Sequence, residues 1–315
     1  MLNRSVYIPV QGGLADQIKQ LYAGILISRK LKISKIFLDL SRLTNYHIGE
    51  ETALKSIIDL KSFIQISGRG IPHERIRAKI LGTLSRFRYA LPRVTNSLVY
   101  LTNFVFGYFT DLVPFAYDTL PFDKTITRIK LFRFHRKVII SGYFASVDYF
   151  HNLSTIDKSI LQIKKRELSK LNTWAVIHFR VGDNFTTFKS FGIVGENYYQ
   201  QTLKSIHDLF GPIQVFGISD DISRAVQLYS NLKITWVSES DTWTSDDVLS
   251  VMASAPILVA SNSGLALFGG LLSTHPNPMV FCPKFPNNEH WRPHLSALLN
   301  QKWSFVEADL WHADD

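Results

Sequence analysis

The strongest constraint on this chain is a change of hydrophobic period within its first forty residues. Val6 to Val10 alternate as a short strand, and Gln11-Gly12-Gly13-Leu14-Ala15-Asp16-Gln17 then forms a glycine turn. Ile18, Leu21, Tyr22, Ile25 and Leu26 recur at helical spacing, Lys30 to Lys32 close the helix, and KIFLDL from Lys35 to Leu40 is a second strand. Two short strands joined through a helix favour a parallel sheet and an α/β fold.

The rhythm lapses and then restarts. Asn45 to Pro121 reads as mainly helical and less regular, and HRKVIISGYF from His135 supplies another strand. DKSILQIKKRELSKLN, Asp157 to Asn172, reads as a charged helix joining two domains, placed at 1–160 and 161–315. From Trp174 the α/β alternation resumes. Strands are expected at Trp174 to Phe179, in PIQVFGISDD, and at Lys233 to Val237, Pro256 to Ala260 and Met279 to Phe281. Helices are expected at Ile222 to Tyr229, Asp246 to Ala255 and Gly264 to Leu272. Such a series implies a doubly wound, Rossmann-like second domain.

Composition narrows the function. With 315 residues, 46% hydrophobic and 19% charged, the chain buries a large core and is not disordered. Its one cysteine, Cys282, excludes an intrachain disulfide and a cysteine-rich zinc site. The opening residues show no secretory signal pattern, and Leu98 to Phe115 is broken by Asn103, Asp111 and Pro114, so the expectation is a cytoplasmic protein without a membrane span. The formal charge is +9. Lys61, Arg69, Arg75, Arg77, Lys79, Arg86, Arg88 and Arg93 stand against Glu74 alone across residues 61–93. That stretch is either a solvated helical face or a contact for an anionic surface, a membrane or a phosphate-bearing substrate. No nucleic-acid motif accompanies it.

Four polar segments fall at strand ends, where open α/β sheets place their ligands. In the first, Gly12 and Gly13 bring backbone N–H groups close to a ligand, while Asp16 lies in the first helical turn, where a simple cap is the plainer reading. In the second, His178-Phe179-Arg180-Val181-Gly182-Asp183, strand alternation puts His178 and Arg180 on one side. The Arg180 guanidinium suits a pyrophosphate, and Asp183 either orients it, pairs with it structurally or accepts from a nucleoside. The third segment is Ser219-Asp220-Asp221. These carboxylates cap the next helix, fold against Arg180, or bind ribose and base hydroxyls; a metal is disfavoured without a second acidic cluster. The fourth, Ser261-Asn262-Ser263-Gly264, opens a helix whose N-terminal amides suit phosphate, with ordinary capping as the alternative.

In this order the segments resemble family 11 glycosyltransferases, the bacterial and animal α-1,2-fucosyltransferases. GGLADQIKQLYAGILISRKL is similar to the family's GGLGNQ-type turn and helix, and HFRVGD to its HxRRxD-type motif. SGYFASVDYF, FGISDD and DDVLSVMASAPILVASNSGLALFGGLL resemble the remaining blocks, so the likeness spans nearly the whole chain. The resemblance implies a GT-B-like architecture, two α/β domains facing a cleft, with GDP-fucose held mainly by the C-terminal domain. It also implies inversion at the anomeric carbon, a glycan acceptor, and neither cofactor nor essential metal; a lipid-linked acceptor would give the basic residues 61–93 a role at an anionic membrane face. Arg180 is then the diphosphate-binding arginine, with Asp183 and the Asp220 loop near the nucleoside and Ser261 to Gly264 near the phosphates. Three departures stand out: Asp16 where the family has Asn, Val181 where it has a second arginine, and Leu265 to Gly270 where it is aromatic-rich. Asn at position 16 only orients an acceptor hydroxyl, whereas Asp16 also takes its proton, which makes it the candidate general base. The competing readings are a helix cap, and transfer in which the leaving phosphate accepts the proton.

Overall fold

The computed structural model describes residues 4–40, 50–58, 64–66, 108–110, 137–141, 160–182, 192–285 and 303–311. The chain divides into two compact units, Met1–Ile160 and Leu161–Asp315.

In the first unit, β1 (Ser5–Pro9), α1 (Leu14–Leu31) and β2 (Lys35–Asp39) follow the order that the hydrophobic period demands. Next come α2 (Glu50–Ile57), β3 (Ile64–Ile66), β4 (Tyr108–Thr110) and β5 (Lys137–Ser141). The sheet order is β3-β2-β1-β5-β4, and all its pairings are parallel. Val6 lies opposite Ile36 on one side and Val138 on the other, which places β1 in the middle of an apolar layer. Helix α1 buries Ile18, Leu21, Ala23, Ile25 and Ile27, so its stability rests on tertiary packing more than on propensity. It ends where Lys32 turns left-handed (φ 55°) and returns its N–H to the Arg29 carbonyl.

The second unit contains β6 (Trp174–Phe179), β7 (Ile193–Val194), α3 (Glu196–Phe210), β8 (Gln214–Ser219), α4 (Ile222–Leu228) and β9 (Thr235–Trp236). After a 3₁₀ turn at Ser238–Thr242 come α5 (Ser245–Ser254), β10 (Ile257–Val259), α6 (Gly264–Leu271), β11 (Met279–Lys284), β12 (Ser304–Glu307) and β13 (Leu310–Trp311). Its main sheet runs β12-β11-β10-β6-β8-β9, parallel throughout, while β7 and β13 pair antiparallel beside it. Counted along the chain, the main strands stand in the order 3-2-1-4-5-6, the doubly wound arrangement expected for this unit.

Strand β6 shows why the middle of this sheet is mostly apolar. Ala175, Ile177 and Phe179 pack to one side with Tyr198, Tyr199 and Ile206 of α3 and Ala225 of α4. Trp174 and Val176 pack to the other with Val251 and Met252 of α5 and Ala266 of α6. A strand covered by helices on both faces has no polar side to present.

Three readings change: besides the two that follow, β3 and β4 are strands within Asn45 to Pro121, which reads as mainly helical. The expected helix at Asp157 to Asn172 is absent from its described part: residues 161–173 follow an irregular path along α5. The Arg166 guanidinium bonds Asp247 and lies 4.3 Å from the centre of the Trp243 ring, and the Arg166 N–H donates to Ser254 Oγ at 2.9 Å. Leu168 packs into the core beside them. The extended path makes these contacts, and they outweigh the weak local preference of a charged run for helix. Conversely, α3 emerges where no element was expected, and its Tyr198, Tyr199, Thr202 and Ile206 form the buried stripe. Among the described residues no helix is long and apolar enough to cross a membrane. Apart from residues 64–66, the basic stretch 61–93 lies outside the described residues, as do 142–150 of the SGYFASVDYF segment.

Candidate functional site

Strands β6 and β10 are neighbours, with Ile177 opposite Val259, and the chain leaves them in opposite directions across the sheet. A crevice opens beyond the carboxyl ends of strands at such a switch point. Two of the predicted segments meet there. His178 Nδ1 and Ser261 Oγ are 2.8 Å apart, and both residues are buried. Burial drives the His178 pKa down to about 4, with nearby Asp220 opposing the shift and Arg180 adding to it, so the imidazole is neutral at pH 7.

The segment after β10 is used residue by residue. The Tyr198 hydroxyl donates to the Ala260 carbonyl at 2.8 Å, and Asn262 Nδ2 donates to the Gly192 carbonyl at 3.0 Å. Ser263 is the N-cap of α6, yet its side chain makes no capping bond. Ordinary side-chain capping therefore does not account for this Ser-Asn-Ser run. The first N–H groups of α6 form a helix N-terminus of the kind that binds anions.

Arg180, directly after β6, is held from the next strand. Its Nη1 lies 3.0 Å from Asp220 Oδ2, with the two side chains 31% and 21% exposed. Asp220 Oδ1 accepts the N–H groups of Val181 at 3.0 Å and Gly182 at 3.1 Å. A Cβ at Gly182 would lie only 2.9 Å from Asp220 Oδ2, so glycine gives the carboxylate its room. Ser219 Oγ donates to the Phe179 carbonyl at 3.1 Å and accepts the Asp221 N–H at 3.1 Å. Asp221 caps α4 through the Arg224 N–H at 3.0 Å and pairs with the Arg224 guanidinium at 3.2 Å. Of the alternatives for this pair of carboxylates, the geometry realises two: Asp221 caps a helix and Asp220 folds against Arg180. Arg224, which no motif singled out, also reaches the Gly182 carbonyl at 3.5 Å. Asp183 lies outside the described residues.

The glycine turn belongs to the first unit. Gly12 takes φ +82°, which favours glycine, and its carbonyl accepts Gln17 Nε2 at 2.8 Å. Gln20 pairs with the backbone of Gln11 both ways, accepting its N–H at 2.9 Å and donating to its carbonyl at 3.1 Å. Gly13 is the N-cap of α1. Asp16, in the first turn, pairs with Lys19 Nζ at 2.8 Å instead of capping the helix. Lys19 is only 10% exposed and was not singled out in the sequence, because a lysine three residues from an aspartate reads as an ordinary helix-surface pair. Among the described residues no cluster of three or more His, Cys, Asp or Glu residues is placed to hold a metal ion.

No family model matches the chain. Over 94% of its length, and over the whole of the relative, it is 22% identical to the O-antigen biosynthesis glycosyltransferase WbnK of Escherichia coli. Among solved structures it resembles POFUT1 in complex with GDP-fucose (12% identity, 88% of this chain and 98% of that chain, TM-score 0.49). It also resembles the E. coli heptosyltransferase WaaC with ADP (12% identity, 97% and 93%, TM-score 0.44).

Proposed function

We propose that this chain is an inverting glycosyltransferase that moves L-fucose from GDP-fucose to a hydroxyl of a glycan acceptor, the 2-hydroxyl in an α-1,2 linkage, during surface polysaccharide synthesis. The observation that carries the reading lies at the switch point: Arg180, held by Asp220 just after β6, and, following the neighbouring β10, an α6 N-terminus that lacks a side-chain cap. A diphosphate there meets a planar cationic donor and converging N–H groups. The full-length similarity to a glycosyltransferase of O-antigen synthesis supports the reaction class, and the order of motifs supports the sugar.

In this reading Arg180 and the Ser261 to Gly264 turn take the diphosphate, with neutral His178 bracing Ser261. Asp183, Ser219 and Asp221 border the nucleoside side. The bond from the anomeric carbon to the phosphate oxygen breaks, and its electron pair leaves with GDP. The acceptor oxygen forms the new bond on the opposite face. Asp16 takes the acceptor proton, with Gly12 and Gly13 shaping the turn around it. Arg180 and the α6 N-terminus stabilise the negative charge growing on the departing diphosphate, so no metal is assigned a part. The protein works in the cytoplasm, and the basic residues 61–93 rest on the anionic inner membrane face beside a lipid-linked acceptor.

The test is turnover of labelled GDP-fucose, GDP-mannose, ADP-heptose and UDP-galactose, with galactoside and lipid-linked acceptors. GDP-fucose is expected to support transfer at least tenfold faster than the other donors. Preference for another donor overturns the sugar, and failure to bind any nucleoside diphosphate overturns the class.

A further inference from the structure

We infer that Asp220 is a positioning residue that aims Arg180, and not a ligand of the nucleoside. The inference rests on the reading of Arg180 as the diphosphate-binding residue. One carboxylate from β8 does two things to the loop that follows β6. Its Oδ1 gathers the consecutive N–H groups of Val181 and Gly182, at 3.0 and 3.1 Å, and so fixes the course of the backbone just after Arg180. Its Oδ2 accepts from Arg180 Nη1 at 3.0 Å and so fixes the direction of the side chain.

The surroundings reinforce this division. Ser219 Oγ ties the carboxyl end of β8 to the Phe179 carbonyl at the end of β6, so the carboxylate and the loop it holds are anchored to each other. Gly182 packs so closely on Oδ2 that a side chain there would displace it. With both oxygens turned to the loop, the carboxylate is committed to protein donors. The neighbouring Asp221 is committed likewise, to the N-terminus of α4.

A guanidinium left unheld must be ordered as charge develops on the departing diphosphate, and that ordering weakens its grip on the transition state. Held at 3.0 Å by Asp220 and 31% exposed, Arg180 meets the developing charge already aimed.

Asp220→Asn separates the two jobs. It is isosteric, and its carbonyl oxygen keeps the N–H groups of Val181 and Gly182, but its amide nitrogen cannot accept from Arg180. We expect kcat to fall roughly 10- to 100-fold while the KM for the donor changes less than about threefold. GDP affinity by calorimetry and the circular dichroism spectrum should stay close to those of the wild type. In an Arg180→Ala background the same substitution should cost less than about twofold more, because the group it aims is gone.

If Asp220 instead contacts the nucleoside, the KM and the GDP dissociation constant rise, and the two substitutions multiply; either result overturns the inference. The underlying reading fails separately. If Arg180→Ala alone leaves transfer near the wild-type rate, Arg180 is not the diphosphate residue. A strongly impaired Arg180→Ala whose residual turnover Asp220→Asn lowers by its full factor overturns the positioning role only.

Discussion

Replacing Arg180 by alanine should divide activity from stability, and the structure sets the size of each effect. The guanidinium pairs with Asp220 at 3.0 Å with both side chains partly exposed. Removing it leaves that carboxylate still bonded to the N–H groups of Val181 and Gly182. Asp220 is therefore not abandoned in the interior, and the stability cost should be about 1 kcal/mol, below that of a fully buried pair. For a unit of this size that lowers the melting temperature by roughly 2 to 4 °C. If the guanidinium strengthens its hold as the diphosphate departs, transfer should fall by about 100-fold or more, which corresponds to about 2.7 kcal/mol of transition-state stabilisation. The assay is initial-rate transfer from labelled GDP-fucose, with thermal denaturation and GDP calorimetry on the same preparation. A folded variant with kcat/KM within threefold of the wild type would refute the reasoning. So would an activity loss that merely tracks the unfolded fraction.

Three other outcomes are expected. His178 is held at about 4 against an ordinary 6.5, so below pH 6.5 the unfolded chain takes up a proton that the native one refuses. Its contribution is intact above that value and falls by about 3 kcal/mol as the pH drops to 4. Urea titrations of wild type and His178→Gln at pH 7 and pH 4.5 should diverge accordingly, and parallel losses would exclude His178 as their source. For Asp16, Asn and Ala variants should both lose orders of magnitude in kcat if the carboxylate takes the acceptor proton; near-normal turnover by Asp16→Asn with loss in Asp16→Ala would make it an orienting group instead. Transfer should survive EDTA, since Arg180 and the α6 N-terminus supply the positive charge, and loss on chelation with recovery on added magnesium or manganese would contradict that.

The hydrophobic period alone determined where most of the elements lie. Trp174–Phe179 is a strand over the bounds read from the sequence, and the helices starting near Ser245 and Gly264 begin within a residue of expectation. Period, turn residues and caps act over a few neighbours, so they are legible without the rest of the molecule. The same holds for the sites in outline, because polar and glycine residues at strand ends mark where a parallel sheet opens. Only the tertiary structure decided what those residues do. That Ser261 meets His178 follows from β10 pairing beside β6, a contact between residues eighty-three positions apart that no local pattern specifies. The tertiary structure likewise turned Asp220 toward the Arg180 loop, paired Asp16 with a nearly buried Lys19, and drew Arg166 off a helical course onto Trp243. A charged side chain goes where its partner has been placed, and that placement is set by the packing of apolar strands and helices from the whole unit.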